Sequence, residues 1–270
     1  MDMKKNYTVK IVVATHKEYR MPEDEMYLPL QVGAEGKPSD LGYQKDNEGD
    51  NISSRNPGYC ELTGLYWAGK NLDADYLGLV HYRRHFSSGR GKNVWERVLK
   101  YEDLQPHLGK VKIFVPKKRR YFIESLYSHY AHTHYAYQLD ETKKIIAEKY
   151  PEYMESYDRV VKRTYGYMFN MMIMERNMFQ EYCEWLFDIL FELETKLDMP
   201  ELSDFQKRYY GRVSEIIFNV WLDRQLTEGT MRKDEIKEVP WIYMEKVNCW
   251  KKGKAFLRAK FAGTRYEGSF

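Results

Sequence analysis

The stretch Ala74-Asp75-Tyr76-Leu77-Gly78-Leu79-Val80-His81-Tyr82-Arg83-Arg84 decides the fold class of this 270-residue chain. Its largely apolar run, residues 75–81, predicts a short central strand that is covered on both faces. In an open α/β sheet, ligands bind beyond the carboxyl ends of the strands. His81, Arg83 and Arg84 come at that end, and a guanidinium group matches phosphate oxygens without losing its charge. The stretch therefore predicts an anion site at the edge of a sheet, with a solvated basic turn as the alternative.

Strands and helices alternate along the rest of the chain. The apolar patterns predict further strands at 9–16, 112–116 and 167–175, and helices at 59–71, 125–150, 177–197 and 203–225. Ser203 or Asp204 is the expected N-cap of the last helix. This alternation predicts an α/β fold of the Rossmann type, with a mostly parallel central sheet flanked by helices. Residues 33–56, rich in Gly, Pro and charge, are expected to form a long loop.

Several motifs follow each other in fixed order: Asn51-Ile52-Ser53, residues 59–68, Lys70-Asn71, and Gly78-Leu79-Val80-His81-Tyr82-Arg83-Arg84-His85-Phe86. Together they resemble a bacterial family known as a domain of unknown function and found in capsular, exopolysaccharide and O-antigen gene clusters. The similarity runs over roughly residues 8 to 225. It implies a GT-A-like nucleotide-sugar fold with a helical C-terminal part, because members of the family look like sugar transferases of that type. Some members are assigned galactosyl or galactofuranosyl transfer.

The resemblance implies one glycosyltransferase domain over residues 1–270. Within it we expect a nucleotide-sugar-binding half at 8–118, an acceptor-side half at 119–225 and a C-terminal extension at 226–270. The expected reaction is inverting transfer of a hexose, galactose or galactofuranose, from a UDP-sugar to a lipid-linked glycan acceptor. A non-catalytic subunit that binds sugar nucleotides or polysaccharide is the main alternative, and a phosphate-transferring enzyme is another.

Two groups of residues are expected to hold the donor. Thr15, His16 and Lys17 follow the first strand, where a Rossmann-like sheet offers a loop to a nucleotide, and the resemblance favours contacts to uracil and ribose. An ordinary polar turn is the alternative. Arg83 and Arg84, assisted by His81, would hold the diphosphate. The Gly-rich fingerprint of dinucleotide cofactors is absent from the sequence near the first strand, so such a cofactor is not expected.

A metal site is expected to be absent. GT-A transferases commonly hold manganese on an Asp-x-Asp motif after a strand, whereas Asp73 and Asp75 precede theirs. Fixed cations can stabilise a leaving diphosphate as a metal does, so we expect transfer without a metal cofactor. The alternative is that His81 ligates Mn²⁺ or Mg²⁺ together with a carboxylate from elsewhere.

The acceptor side needs a base that takes a proton from the attacking hydroxyl. Asp204 is the favoured candidate, since GT-A enzymes often place the base at a helix start, and Glu215 is the second. A plain N-cap and an ion-pair partner of Arg212 are their structural alternatives. Polar and aromatic side chains suited to sugar hydroxyls complete the candidate site: Asp50, Asn51, Glu61, Tyr82, His134 and Asn170.

Composition sets the remaining expectations. The net charge of +3 is too small to indicate nucleic-acid binding, and three widely spaced Cys residues favour free thiols over a disulfide. The sequence has neither an apolar signal region at its start nor an apolar run long enough to span a membrane, so we expect a cytoplasmic protein. Six cations and interleaved aromatic residues in 250–270 suggest peripheral contact with an anionic membrane, with a solvated or packed tail as the alternative.

Overall fold

The computed structural model describes residues 6–197 and 202–245. The strands are β1 (Val9–Thr15), β2 (Tyr27–Gln31), β3 (Gln44–Lys45), β4 (Tyr76–His81), β5 (Arg84–Phe86), β6 (Ile113–Pro116), β7 (Arg119–Arg120), β8 (Tyr165–Gly166), β9 (Met172–Glu175), β10 (Ile236–Val239) and β11 (Trp241–Tyr243). The helices are α1 (Asn56–Tyr59), α2 (Leu62–Asn71), α3 (Tyr101–Leu104), α4 (Leu126–Thr133), α5 (Ala136–Lys149), α6 (Met154–Val160), α7 (Arg176–Lys196), α8 (Asp204–Lys207) and α9 (Tyr209–Thr227).

A central sheet runs in the order β10-β6-β9-β4-β1-β2-β3. Strand β1 pairs in parallel with both β2 and β4, and β10 pairs in parallel with β6. Strand β9 is antiparallel to its neighbours β4 and β6, so β4 and β6 run in the same direction. The carboxyl ends of the parallel strands and the start of β9 therefore share one edge of the sheet, which we call the carboxyl edge. The predicted α/β fold with a mostly parallel central sheet is confirmed.

Strand β9 is shorter than the predicted strand 167–175. Phe169 and Asn170 have φ of 78° and 51°, a left-handed backbone that a strand cannot contain. The strand begins only at Met172, and it lies close to β4 because Gly78 has no side chain. A Cβ atom built on Gly78 would stand 2.8 Å from the carbonyl oxygen of Met172.

The helix predicted at 177–197 is the continuous helix α7, and the other three predicted helices are interrupted. The helix expected at 59–71 breaks at Cys60, whose φ is 53°, so Glu61 precedes a new helix, α2. Extended residues near His134 divide the helix expected at 125–150, and Arg208 separates α8 from α9 in the region 203–225. The Ser203 hydroxyl accepts a hydrogen bond from the Gln206 backbone N–H, which confirms it as an N-cap.

Five strands of the central sheet were not predicted: β2, β3, β5, β10 and β11. Pro29 lies inside β2, and proline normally argues against a strand because it lacks an N–H donor. Strand β3 pairs only with Leu30 and Gln31, so the outer side of β2 is unpaired at Pro29. Strands β10 and β11 place part of the expected C-terminal extension in the sheet, next to β6 and β5. Of residues 226–270, the structure describes 226–245.

Candidate functional site

The candidate site lies on the carboxyl edge, where β4 ends at His81 and β1 ends at Thr15. Asn170 reaches the same edge because β9 starts there. The first turns of α2 and α9 complete the site, since the Asn170 side chain is hydrogen-bonded to residues of both. Two parts can be distinguished: a cationic part after β4 and a part that holds two carboxylates.

Arg83 and Arg84 form the cationic part and are partly buried. The Nε atom of each is buried and makes no hydrogen bond with the described residues. The Arg84 guanidinium carbon lies 4.6 Å from the centre of the Phe169 ring, and that of Arg83 lies 5.3 Å from the Tyr82 ring. Aromatic faces thus hold the two cations while leaving N–H groups unused. An anion with several oxygens is the complementary ligand.

His81 stands beside these arginines as a neutral group. The Arg83 backbone N–H points at its Nδ1 across 3.3 Å, which leaves the proton on Nε2. Burial, together with the charges of Arg84 and Arg83, holds the pKa of His81 well below its usual value. His81 can therefore donate a hydrogen bond to an anion but adds no charge at neutral pH.

The residues after β1 have different roles. The Thr15 hydroxyl is buried and donates to the Lys17 carbonyl at 2.6 Å, so it closes the turn rather than facing a ligand. His16 is exposed, and its pKa is lowered by partial burial and by Arg83. Lys17 Nζ lies 5.1 Å from the centre of the Tyr82 ring and 3.5 Å from the Glu245 carboxylate. His16 and Lys17 are thus on the carboxyl edge, and Thr15 supports them.

A hydrogen-bonded cluster around Asn170 forms the second part of the site. Its Nδ2 donates to the Glu61 carboxylate and to the Gly211 carbonyl, both at 2.8 Å. Its Oδ1 accepts from the Ser214 hydroxyl at 2.8 Å. The buried side chain thereby ties the start of β9 to the starts of α2 and α9. Its left-handed backbone, shared with Phe169, is the kind of local strain that clusters at functional sites.

Glu215 is the second carboxylate of the site and is partly buried. Burial and the neighbouring charge of Glu61 raise its pKa to about 7, against the opposing effect of Arg84, Arg119 and the Phe169 backbone N–H. A carboxyl group with such a pKa can take up or release a proton near neutrality. The arginine part and the carboxylate part are therefore electrostatically coupled through Arg84.

His134 and Asp204 were also predicted for the site. His134 is buried, and Arg212 Nη1 approaches its Nδ1 at 3.0 Å. Burial and the Arg212 charge lower the pKa of His134 to about 3, so the ring is neutral. Asp204 is exposed in the first turn of α8. It shares a short helix with Gln206, whose amide oxygen lies 3.2 Å from His134.

Three other predicted residues serve the surrounding structure. Asp50 is tied through backbone hydrogen bonds to the side chain of Asn71 at the far end of α2, away from Glu61. The Asn51 side chain closes a local turn with the Ser53 N–H. Tyr82 is 2% exposed and packs against the ring of His16, so it forms a wall of the site.

GT-A transferases commonly have an Asp-x-Asp motif at the position after β4. Here His81, Arg83 and Arg84 stand there, and they do not fit Mn²⁺ or Mg²⁺ because these ions take oxygen ligands. Asp75 lies at the opposite edge, where it accepts from the Thr8 backbone N–H at 2.8 Å, and Asp73 contacts Arg176. Within residues 6–197 and 202–245, no three His, Cys, Asp or Glu side chains form a group that could hold a metal ion.

Several residues of the site were missed. The charges of Lys37 and Arg208 contribute to the lowered pKa of His16, and the charge of Arg119 opposes the rise in the pKa of Glu215. Arg208 directly precedes α9 and Arg212 lies in its first turn, so their spacing of four residues was a usable signal for two cations near one helix start. Asp46 is fully buried and accepts from the backbone N–H groups of Gly33 and Ala34 and from the Thr63 hydroxyl, so it organises the 33–56 loop.

Comparison with protein families gives a match over residues 10–226 to the family described as "Domain of unknown function (DUF4422)". That range covers most of the chain. The chain belongs to this family. The DUF4422 region takes in β1 to β9 and nearly all of α9, and so includes all the side chains of the site described above. No curated protein sequence matches the chain.

A solved structure, the apo form of the bifunctional glycosyltransferase WbbM, is similar to this DUF4422 protein with a TM-score of 0.81 and 30% sequence identity. The match covers 88% of this chain and 46% of the WbbM chain. The protein thus spans about half the length of that relative. Its fold is that of a region of a glycosyltransferase, which agrees with the GT-A-like fold expected from the sequence.

Proposed function

We propose that this protein is a glycosyltransferase that moves a hexosyl group from a nucleotide sugar to a hydroxyl of a glycan acceptor. The observation that carries the proposal is the coupling, on one edge of the sheet, of two arginines with unused N–H groups to a carboxyl group whose pKa is about 7. Such a site can hold a leaving diphosphate and accept a proton in the same reaction. The fold shared with a region of WbbM supports the same conclusion.

The donor diphosphate would bind to Arg83 and Arg84, with His81 Nε2–H as a neutral donor. When the bond between the anomeric carbon and the diphosphate oxygen breaks, that oxygen gains negative charge, and fixed guanidinium groups stabilise it. The ring of Phe169 under Arg84 fixes the direction of its N–H groups. Beyond the diphosphate, His16 and Lys17 would contact the nucleoside, which we propose to be uridine. This donor assignment rests on the family resemblance.

Glu215 is the proposed base. The acceptor oxygen attacks the anomeric carbon, its proton passes to the Glu215 carboxylate, and the nucleoside diphosphate leaves from the opposite face, which inverts the configuration. Asp204, favoured from the sequence, is a weaker candidate because it is exposed on α8, whereas Glu215 lies beside Glu61 and within the influence of Arg84. Glu61, held by Asn170, would bind sugar hydroxyls, and His134 would line the acceptor side.

Galactose or galactofuranose is the proposed donor sugar, and a lipid-linked oligosaccharide is the proposed acceptor, both on the strength of the family resemblance. Action without a metal ion is also proposed, since cations follow β4 where GT-A transferases commonly have an Asp-x-Asp motif. The described residues contain no helix with the length and apolarity needed to cross a bilayer. A cytoplasmic location with peripheral membrane contact is part of the proposal, and the basic stretch 250–270 lies outside the described residues.

A panel of nucleotide sugars tests the proposal. Purified protein is incubated with each donor, with and without a lipid-linked oligosaccharide, and release of the nucleoside diphosphate is followed. We expect release from a UDP-hexose that rises when the acceptor is present. Tight binding of a nucleotide sugar without turnover for any donor and acceptor pair would show a binding subunit instead. Transfer of a phosphoryl group to the acceptor would show that the protein is a phosphate-transferring enzyme.

A further inference from the structure

Two large apolar side chains, Phe122 and Ile123, project from the protein next to each other. The two residues are 83% and 71% exposed, and they are the large hydrophobic residues that stand exposed in the described ranges. Four consecutive cations, residues 117–120, precede them and are exposed as well. We call residues 117–123 the basic tip. It follows β6, so it leaves the sheet at the carboxyl edge, beside the candidate site.

The basic tip has a defined backbone. Strand β7 pairs with β8, and the Tyr121 N–H then donates to the Thr164 carbonyl at 2.7 Å. The Ile123 N–H donates to the Tyr121 carbonyl at 2.7 Å, while Phe122 has φ of 57°. This is a γ-turn with a left-handed central residue, a rare and strained form. A large aromatic residue at such a position is unusual. The turn holds Phe122 away from the protein body.

The side of the tip next to α4 is anchored by a buried carboxylate. Glu124, 2% exposed, is hydrogen-bonded to Nδ1 of His129 at 2.8 Å and to Nδ1 of His132 at 2.7 Å. The Tyr121 ring packs on His129 with the ring centres 4.2 Å apart. The β7–β8 pairing on one side and the Glu124 cluster on the other therefore keep Phe122 and Ile123 exposed to water. We expect such exposed apolar side chains to bind an apolar partner.

The charge around the tip indicates which partner. Lys118 is paired with Glu238 at 3.0 Å, whereas Lys117, Arg119 and Arg120 make no ion pair with the described residues. The expected partner is therefore apolar where Phe122 and Ile123 contact it, and it carries negative charge around that point. A convex tip of two side chains is too small for a stable protein interface, which needs about 800 Å² on each partner. A bilayer accepts such a tip, because its surface is anionic and its acyl region is fluid.

We propose that the basic tip docks this protein on an anionic phospholipid surface. Phe122 and Ile123 enter the boundary between headgroups and acyl chains, and Lys117 and Arg120 contact lipid phosphates. Because the tip and the candidate site share the carboxyl edge, docking turns the site toward the membrane. The inference does not depend on the proposed transfer reaction, since lipid binding is measured without any sugar.

Co-sedimentation of the full chain with vesicles tests the docking. One set of vesicles is pure phosphatidylcholine, and the other also contains phosphatidylglycerol. The tip variants are Phe122→Asn with Ile123→Ser, in which asparagine tolerates the left-handed backbone, and Lys117→Ser with Arg120→Ser. The control is Lys110→Ser with Lys233→Ser. This pair removes two exposed cations at the opposite edge of the sheet, one before β6 and one before β10.

We expect the parent to bind phosphatidylglycerol vesicles, and less so as salt rises. Each tip pair should weaken binding by about tenfold or more, and the control pair by less than about threefold. The proposal fails if the parent does not bind, or if tip and control pairs weaken binding equally. It also fails if deletion of residues 246–270 abolishes binding that both tip variants retain. Circular dichroism verifies that every variant is folded.

Discussion

The amide of Asn170 donates a hydrogen bond to the carboxylate of Glu61 across 2.8 Å, joining two residues that are 109 positions apart in the chain. One residue comes just before β9 and the other just before α2. The contact fixes the position of a carboxylate that in turn raises the pKa of Glu215. The residue that leads into β9 thus holds one of the two carboxyl groups of the site in place.

Replacement of Arg84 by alanine tests the diphosphate clamp. We expect turnover at saturating donor to fall by about 10²–10³-fold, because a donor aimed at the developing charge is lost. Steady-state release of the nucleoside diphosphate is the measurement. Arg232→Ala, which removes an exposed arginine just before β10 at the opposite edge, should leave turnover unchanged. Equal rates for the parent and Arg84→Ala would remove Arg84 from this role.

Replacement of Glu215 by glutamine tests the base. Transfer should fall by about 10²–10⁴-fold while donor affinity changes little, because a proton acceptor is lost but little volume. The matched variant is Asp204→Asn, which we expect to transfer at close to the parent rate. Isothermal titration with the donor and steady-state kinetics separate binding from transfer. If Asp204→Asn is inactive and Glu215→Gln is active, the two roles are exchanged.

The pH dependence of transfer depends on the same carboxyl group. The pKa of Glu215 is raised from 4.5 to about 7, so the reactive carboxylate is lost as pH falls below about 7. The rate should therefore drop about tenfold per pH unit below that point and level off above it. This fall is measured as kcat/KM for the acceptor across pH at saturating donor. A fall that begins only near the ordinary pKa of glutamate would contradict the assignment.

Replacement of Asn170 by alanine should destabilise the fold. The change removes hydrogen bonds to Glu61, Gly211 and Ser214 and leaves an alanine at φ of 51°. At roughly 1 kcal/mol for each neutral bond, more for the carboxylate, we expect a loss of about 3 kcal/mol in the free energy of unfolding. Urea denaturation gives the value. Asn170→Gly should be about 1 kcal/mol milder because glycine relieves the backbone strain. A loss below about 0.5 kcal/mol in both variants would show that the cluster does not stabilise the fold.

Metal removal tests the proposal that cations replace a divalent ion. Transfer should continue at the parent rate in excess EDTA, since the arginines carry the charge that a metal would supply. Calcium-saturated EDTA serves as the control for effects of the chelator itself. Complete loss of activity that manganese restores would mean that His81 and a carboxylate from elsewhere in the chain ligate an ion during the reaction.

Local sequence was enough to predict the buried strand 76–81, the arginines after it and the class of the fold. These features depend on runs of apolar residues and on the residues directly after each run. The direction of β9 could not be predicted, because an apolar strand looks the same in both directions. For that reason the partnership of Asn170 with Glu61 was missed, although each residue had been chosen singly. The pKa of Glu215 is raised first by burial and then by the charge of Glu61, and neither can be read from local sequence.

Some residues have a structural role that the sequence does not reveal. Asp50 has the composition of a sugar ligand, but the loop holds it beside Asn71. Strands β10 and β11 were missed because they are short and Pro240 separates them, a pattern typical of a tail. Asp46 was missed because two of its four donors are backbone N–H groups, which carry no sequence signal, and the other two are hydroxyls distant in sequence.

The position of β9 also affects how the sheet holds together. In the described parts of the chain, the strand ladders that link β6 and β10 to β4 pass through β9, which has only four residues. If those residues detached, the sheet would divide into two pieces. The left-handed turn before β9 sits at this narrow point, so local opening there would separate the arginines that follow β4 from the cations that come after β6. Cooperative unfolding and the integrity of the site therefore depend on one short segment.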